Sequence, residues 1–408
     1  MSHNDLAFDV VIAGGGMVGA SFALALDTLS NGALRIALVE GFPIPVAPGS
    51  ELRPSFDARA TALAHGSRLI LERLGLWTAL ATHVSAITDI HVSERGRPGS
   101  AELAAAERGW EALGYVVENA RLGQTLFAAL RQRASISVIN PATVTAVQPG
   151  RELATATIEQ NSEQKQLSAR LIVIADGAES GLRQRLGIAA SVRDYRRQAI
   201  IANVSCERPH AGCAYERFTD WGPMALLPQR DGDDGKPRMA LVWTMTAERA
   251  AELCEASDGL FLNTLQQRFG HRQGRFTRVG TRHRYDLRLV QAQEQVRRQI
   301  VLAGNAAHSL HPVAGQGFNL ALRDLLRLAE VIAEASARSE AIGELNVLQR
   351  YLDRQRTDQW RTTLLSDRLP ALFDSARGPL PHLRQLGLLA LDLNPALKNL
   401  FVDHTAGF

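Results

Sequence analysis

The stretch Phe8-Asp9-Val10-Val11-Ile12-Ala13-Gly14-Gly15-Gly16-Met17-Val18-Gly19 decides the fold of this 408-residue chain. Its first six residues are mostly apolar and rich in β-branched side chains, the pattern of a parallel strand buried on both faces. The glycines follow at once, and Ala20-Ser21-Phe22-Ala23-Leu24-Ala25-Leu26 then reads as a helix. Strand, glycine turn and helix in that order are the context that a dinucleotide fingerprint requires. Gly14 permits the tight turn, Gly16 lets the backbone approach a pyrophosphate, and Gly19 lets the helix pack closely on the strand. The helix start offers unpaired N–H groups and partial positive charge to the phosphates. A second strand, Arg35-Ile36-Ala37-Leu38-Val39, ends in Glu40, where an acid grips a ribose hydroxyl.

Two later motifs repeat the arrangement of an apolar run ending in glycine. Arg170-Leu171-Ile172-Val173-Ile174-Ala175 delivers Asp176-Gly177, and Gln299-Ile300-Val301-Leu302-Ala303 delivers Gly304-Asn305, from which the chain runs on to Gly315-Gln316-Gly317. Together the three motifs describe one FAD laid along a single nucleotide-binding domain built from distant parts of the chain. The N–H groups of Gly315, Gln316 and Gly317, at the start of a helix, suit negative charge developing on the flavin. Only one complete fingerprint is present, so the sequence offers no second dinucleotide domain.

A net charge of +3, with no basic run interleaved with aromatics, argues against nucleic acid. Arginines cluster at Arg193, Arg196 and Arg197 and again from Arg272 to Arg288, reading either as a solvated face or as attraction for anionic headgroups or a nucleotide phosphate. Cys206, Cys213 and Cys254 form no CxxC pair, which fits a reducing compartment and neither a disulfide scaffold nor a structural zinc site. No signal peptide and no membrane-spanning apolar run is visible, so the expectation is a cytoplasmic protein, peripheral at the inner face of the membrane.

The expected fold class is α/β. A discontinuous Rossmann-like FAD-binding domain comprises residues 1–80, 112–187 and 285–360, an inserted, mostly antiparallel substrate-binding sheet comprises 81–111 and 188–284, and residues 361–408 form a C-terminal helical region. Within this plan Thr61–Leu74 and Asn119–Ala134 read as helices and Ala86–Ser93 as one strand. Residues 188–284 read as short strands and turns, and a long amphipathic helix follows Gly317.

Over essentially its whole length the chain resembles the class A flavoprotein monooxygenases. Within them it is similar to the ubiquinone-biosynthesis hydroxylases, through His311-Pro312-Val313-Ala314-Gly315-Gln316-Gly317-Phe318-Asn319-Leu320 and the following Arg323-Asp324. Carried over from that resemblance, FAD contacts fall on Gly14, Gly16, Gly19, Glu40, Arg59, Asn119, Asp176, Gly177, Gly304, Asn305, Pro312, Gly315, Gln316, Gly317 and Asn319. Most of the superfamily carries Gly-Asp where this chain has Gly304-Asn305. Asn keeps an acceptor oxygen and gains a donor, so a ribitol hydroxyl can still be held. The 2-polyprenyl-6-methoxyphenol hydroxylase branch shares this Gly-Asn-Ala-Ala, and Phe318 and Tyr215-Glu216-Arg217-Phe218-Thr219 also look like that branch.

The resemblance implies that NAD(P)H reduces FAD, O₂ adds to give a C4a-hydroperoxide, and oxygen passes to a ring carbon of a polyprenylated phenol. No side chain is forced as a base. His308 and His311 are the nearest candidates, either for proton transfer or for loop structure, and as a metal pair they lack a third ligand. Tyr215 and Arg217 either line the substrate pocket or pack the sheet. The apolar patches of residues 364–391 meet a membrane surface, meet other ubiquinone-biosynthesis proteins, or pack on the FAD domain. Two alternatives stand beside this reading. One is a sister hydroxylase acting at another ring position or on a soluble phenol; the other is a non-catalytic flavin-fold component of a quinone-synthesis complex.

Overall fold

The computed structural model describes residues 6–44, 59–232, 234–310, 315–374, 387, 389, 390 and 392–407. The strand Leu6–Ala13 lies at the centre of an eight-stranded sheet. It pairs in parallel with Glu163–Ile174 on one side (Ile12 opposite Val173) and with Ile36–Val39 on the other (Ile12 opposite Leu38). Ile300–Leu302 and Ile136–Ile139 extend the parallel core outward. Thr143–Gln148 and Ala154–Gln160 add an antiparallel flap.

The two-residue period of the strands divides this sheet's core in two. Val10, Ile12, Leu38, Leu171 and Val173 face the helices Met17–Leu29, Asn119–Arg131 and Gln316–Ala337. Val11, Ala13, Ala37, Ile172 and Ile174 face the flap. All three glycine motifs therefore emerge at the carboxyl ends of parallel strands, where ligands bind in open α/β sheets.

The second sheet has nine strands and is antiparallel except where Asp89–Glu94 runs parallel to Cys213–Thr219. Its outer face is covered by the helices Ala247–Glu255 and Asp258–Phe269, which bury Trp243, Leu226 and Leu241 against Phe261, Leu265 and Phe269. The sequence reading held only strands and turns for that region.

Several expected boundaries cross elements. Ala60–Ala64 is a strand and the helix begins at His65. Alanine and leucine favour helix locally, and pairing with Gly114–Glu118 overrides that preference. The expected strand Ala86–Ser93 is two strands in different sheets, Val84–Ile87 beside Gly114–Glu118 and Asp89–Glu94 in the large antiparallel sheet. Residue 284 falls within the strand His283–Ala292, and residue 361 within the helix Leu345–Asp374.

Candidate active site

The fingerprint loop is shaped so that glycine alone fits. Gly14 has φ +106°, and a β-carbon there would stand 2.5 Å from the Ala175 carbonyl oxygen. At Gly19 a β-carbon would lie 1.9 Å from the Gly14 carbonyl. The helix Met17–Leu29 starts at Gly16 with no side-chain cap and no acid in its first turn, leaving its first N–H groups to an anion. Glu40 follows the strand Ile36–Val39, and its carboxylate accepts from Gly15 N–H at 2.7 Å and Phe42 N–H at 2.9 Å. An uncapped helix start beside an oriented acid fits the pyrophosphate and ribose of FAD.

The second and third motifs lie side by side. Asp176 is exposed and Gly177 has φ +99° with open space above it. Gly304, at φ +56°, lies under Val18 of the fingerprint helix, so the first and third motifs touch. Asn305 is exposed and borders the cavity described below. The sequence reading missed Arg183, which ties the two loops together. This buried side chain donates to the carbonyls of Ala306 (2.8 Å) and Ala178 (3.1 Å).

Arg59 lies over the Tyr285 ring at 4.8 Å, reaching from the FAD domain to the large antiparallel sheet. Its carbonyl accepts from Asn119 N–H at 2.7 Å, and the Asn119 side chain accepts from Thr61 Oγ1 at 2.6 Å. Asn119 thus braces the segment that carries Arg59. Gly315, at φ +60°, caps the helix Gln316–Ala337 without a side-chain cap. The Asn319 amide donates to the carbonyls of Gly315 (2.8 Å) and Ala62 (2.9 Å) and accepts from Ala64 N–H and Ser67 Oγ. These four bonds make the Asn319 side chain a clamp on the Gly315 loop. His311 and Pro312 lie outside the described residues.

His308 does not border the cavity. It is buried, with Nε2 2.6 Å from Asp324 Oδ2, and Gln359 donates to the same oxygen at 2.8 Å. Among the described residues no group of three metal-ligating side chains occurs.

Between the Gly315–Gly317 loop and the inner face of the large sheet lies a cavity of about 540 Å³. Its walls are apolar: Ile90, Leu103, Phe218 and Leu227 from the sheets, Leu113 just before the strand Gly114–Glu118, and Phe401 and Val402 from the helix Pro395–Ala406. Tyr215 and Arg217, the sequence candidates, send their polar groups to the opposite face. The Tyr215 hydroxyl accepts from Gln273 at 2.6 Å and its ring packs on Phe269, while Arg217 donates to the Arg268 carbonyl and Ser93 Oγ. Between them Glu216 faces the cavity, and burial pushes its carboxyl up to about 8.

The FAD binding domain family matches residues 7–354. Ubiquinone hydroxylase UbiL of Rhodospirillum rubrum is 34% identical over 403 residues, covering 99% of this chain and 90% of that protein. The 3-demethoxyubiquinol 3-hydroxylase of Escherichia coli is 30% identical over 98% of both chains. Among solved structures, p-nitrophenol 4-monooxygenase PnpA of Pseudomonas putida shares the fold, with a TM-score of 0.79 at 17% identity over 98% of this chain and 99% of that one. With its three glycine motifs folded into one dinucleotide cradle beside an apolar cavity, the chain belongs to the FAD binding domain family and, within it, to the ubiquinone hydroxylases, as an FAD-dependent monooxygenase.

Proposed function

We propose that this enzyme uses NAD(P)H and O₂ to hydroxylate a polyprenylated methoxyphenol of ubiquinone biosynthesis at the ring carbon para to its hydroxyl. The observation that carries the reading is the apolar cavity between the Gly315–Gly317 loop and the sheet, which suits an aromatic ring with an isoprenoid substituent. When bound, FAD would supply the redox chemistry, hydride acceptance and O₂ activation. The chain supplies position and environment. Glu40 and the uncapped helix start hold the ribose and pyrophosphate, Asn305 offers an acceptor and a donor to the ribitol, and the N–H groups of Gly315, Gln316 and Gly317 favour negative charge. Apolar walls keep bulk water from the reacting ring.

A prenylated substrate resides in a bilayer. No helix among the described residues is long and apolar enough to cross a membrane, but Leu393, Leu397 and Leu400 are exposed in and just before the helix whose other residues wall the cavity. That row supports uptake of substrate from a membrane surface.

The test is lipid mass spectrometry of the source organism with the gene deleted and then restored. Accumulation of a 2-polyprenyl-6-methoxyphenol, cleared on restoration, is the expected result. Accumulation of a demethoxy quinol would assign the sister position that the Escherichia coli relative's name describes. An unchanged quinone pool without any intermediate would count against the whole reading.

A further inference from the structure

We propose that Glu216 is the base of this enzyme: its carboxylate takes the proton of the phenol hydroxyl and holds that oxygen at the sheet side of the cavity. The assignment rests on the phenol reading above and adds the group that activates the ring.

The placement follows from strand register. Cys213–Thr219 alternates between faces, so Ala214, Glu216 and Phe218 border the cavity. The residues beside Glu216 on the neighbouring strands are Val92 and Ala225. A carboxyl is thus set in an apolar surface on every side. It makes no hydrogen bond or ion pair with any described residue, and the space it opens to is the cavity. An ionisable group left without a protein partner in such a place is costly unless a ligand supplies one.

Among the described residues, the other titratable side chains bordering the cavity are His404 and Tyr215. The helix Pro395–Ala406 contributes His404, whose imidazole burial pushes downward. Tyr215 is turned to Gln273 on the reverse face and is pushed up to about 12, chiefly by burial. The helices Gln316–Ala337 and Leu345–Asp374 and the strand Ala60–Ala64 present no titratable side chain to the cavity. Glu216 is the one carboxyl among the described residues lining it.

The proton balance is simple. The phenol O–H bond breaks, the proton passes to a Glu216 oxygen, and the single negative charge moves from carboxylate to phenolate. The phenolate oxygen then accepts a hydrogen bond from the newly protonated acid. A phenol's pKa is about 10 and burial lifts Glu216 to about 8, so the transfer is uphill by roughly 2.7 kcal/mol, a gap small enough to be crossed as the ring carbon reacts. A phenolate is far more electron-rich at the para carbon than a phenol. Held at the sheet by its oxygen, the ring turns its opposite edge towards Gly315–Gly317 and the flavin loop.

The test uses FAD-loaded enzyme, titrated with a geranylated methoxyphenol to measure binding and then assayed with NAD(P)H from about pH 6 to about pH 10. In the wild type, kcat/KM rises towards a plateau above about pH 8. In Glu216→Gln that rise disappears and kcat drops about 10²–10³-fold with a much smaller change in KM. Flavin content and melting temperature check that the variant folds. Should it not fold, Glu216→Asp keeps the carboxyl but draws it back, and is expected to lower kcat while retaining the rise with pH. An unchanged kcat and pH profile in Glu216→Gln, or an unchanged kcat in Glu216→Asp, would overturn the assignment. A wild type that carries FAD yet binds no phenol would instead overturn the substrate reading on which it rests.

Discussion

His308 and Asp324 face each other in the protein interior, Nε2 to Oδ2 at 2.6 Å, both about 95% or more buried. The pair joins the strand His308–Ser309 to the helix Gln316–Ala337, and Gln359 brings in the helix Leu345–Asp374. Burial raises the Asp324 carboxyl, with His308 pulling it back. Removing Asp324 leaves His308 Nε2 buried without its acceptor, while Gln359 keeps Gln295. Asp324→Ala is expected to cost about 3–5 kcal/mol in denaturant unfolding, and Asp324→Asn, which keeps an acceptor, clearly less. Equal stability of both variants and the wild type would remove the pair from the framework.

The closeness of Gly19 to the Gly14 carbonyl predicts a cofactor effect. Gly19→Val must push the helix off the strand, because even a β-carbon has no room there. The expected product is protein that purifies without flavin or fails to fold. Gly259→Ala, in open space on the helix Asp258–Phe269, serves as the control and is expected to keep full flavin content. Flavin absorbance per chain decides between them.

Tyr215→Phe separates the two faces of one strand. It removes the hydrogen bond from Gln273 on the reverse face and is expected to cost about 1 kcal/mol of stability while leaving kcat/KM within about twofold. A large loss of kcat/KM would return Tyr215 to the cavity side.

Stability in the absence of substrate should fall with rising pH on account of Glu216. Its folded-state value of about 8 lies above the ordinary 4.5, so the folded protein keeps a proton that the unfolded chain has released. The destabilisation grows from about pH 4.5 to about pH 8 and is level above that. Glu216→Gln should therefore gain on the wild type across this window, by an amount on the order of 1–3 kcal/mol at its upper end, since the cavity opening softens the burial. Melting curves at several pH values measure it, and parallel curves for the two proteins would contradict the environment described for this carboxyl.

The FAD-binding half was legible because its information is local. Strand, glycine turn, helix and acid sit within Phe8 to Glu40, and Gly14, Gly15 and Gly19 answer contacts made by near neighbours or by adjoining strand ends. The sheet half was less legible. In a strand a one-residue error exchanges faces, and Tyr215-Glu216-Arg217 gives no internal sign of which face is covered. That depends on the helices Ala247–Glu255 and Asp258–Phe269, which bury the Tyr215 side and leave Glu216 to the cavity. His308 meets a similar limit. Spacing left proton transfer and loop structure both open, and its partner proves to be Asp324, one helix away.

The pairing of Leu6 with Leu167 also has a consequence for how the protein is made. One of the fingerprint strand's two sheet neighbours is synthesised only some 160 residues after it, and Ile300–Leu302, which lies beyond that neighbour, later still. Until then Val10, Val11 and Ile12 are an unpaired apolar edge on the ribosome, the kind of segment that associates with other chains. Folding of this sheet is necessarily non-local and slow, and the cradle for the flavin closes late in it. A chain whose last parallel strand is slow to arrive is exposed to misassembly for longer than one built from local pairs.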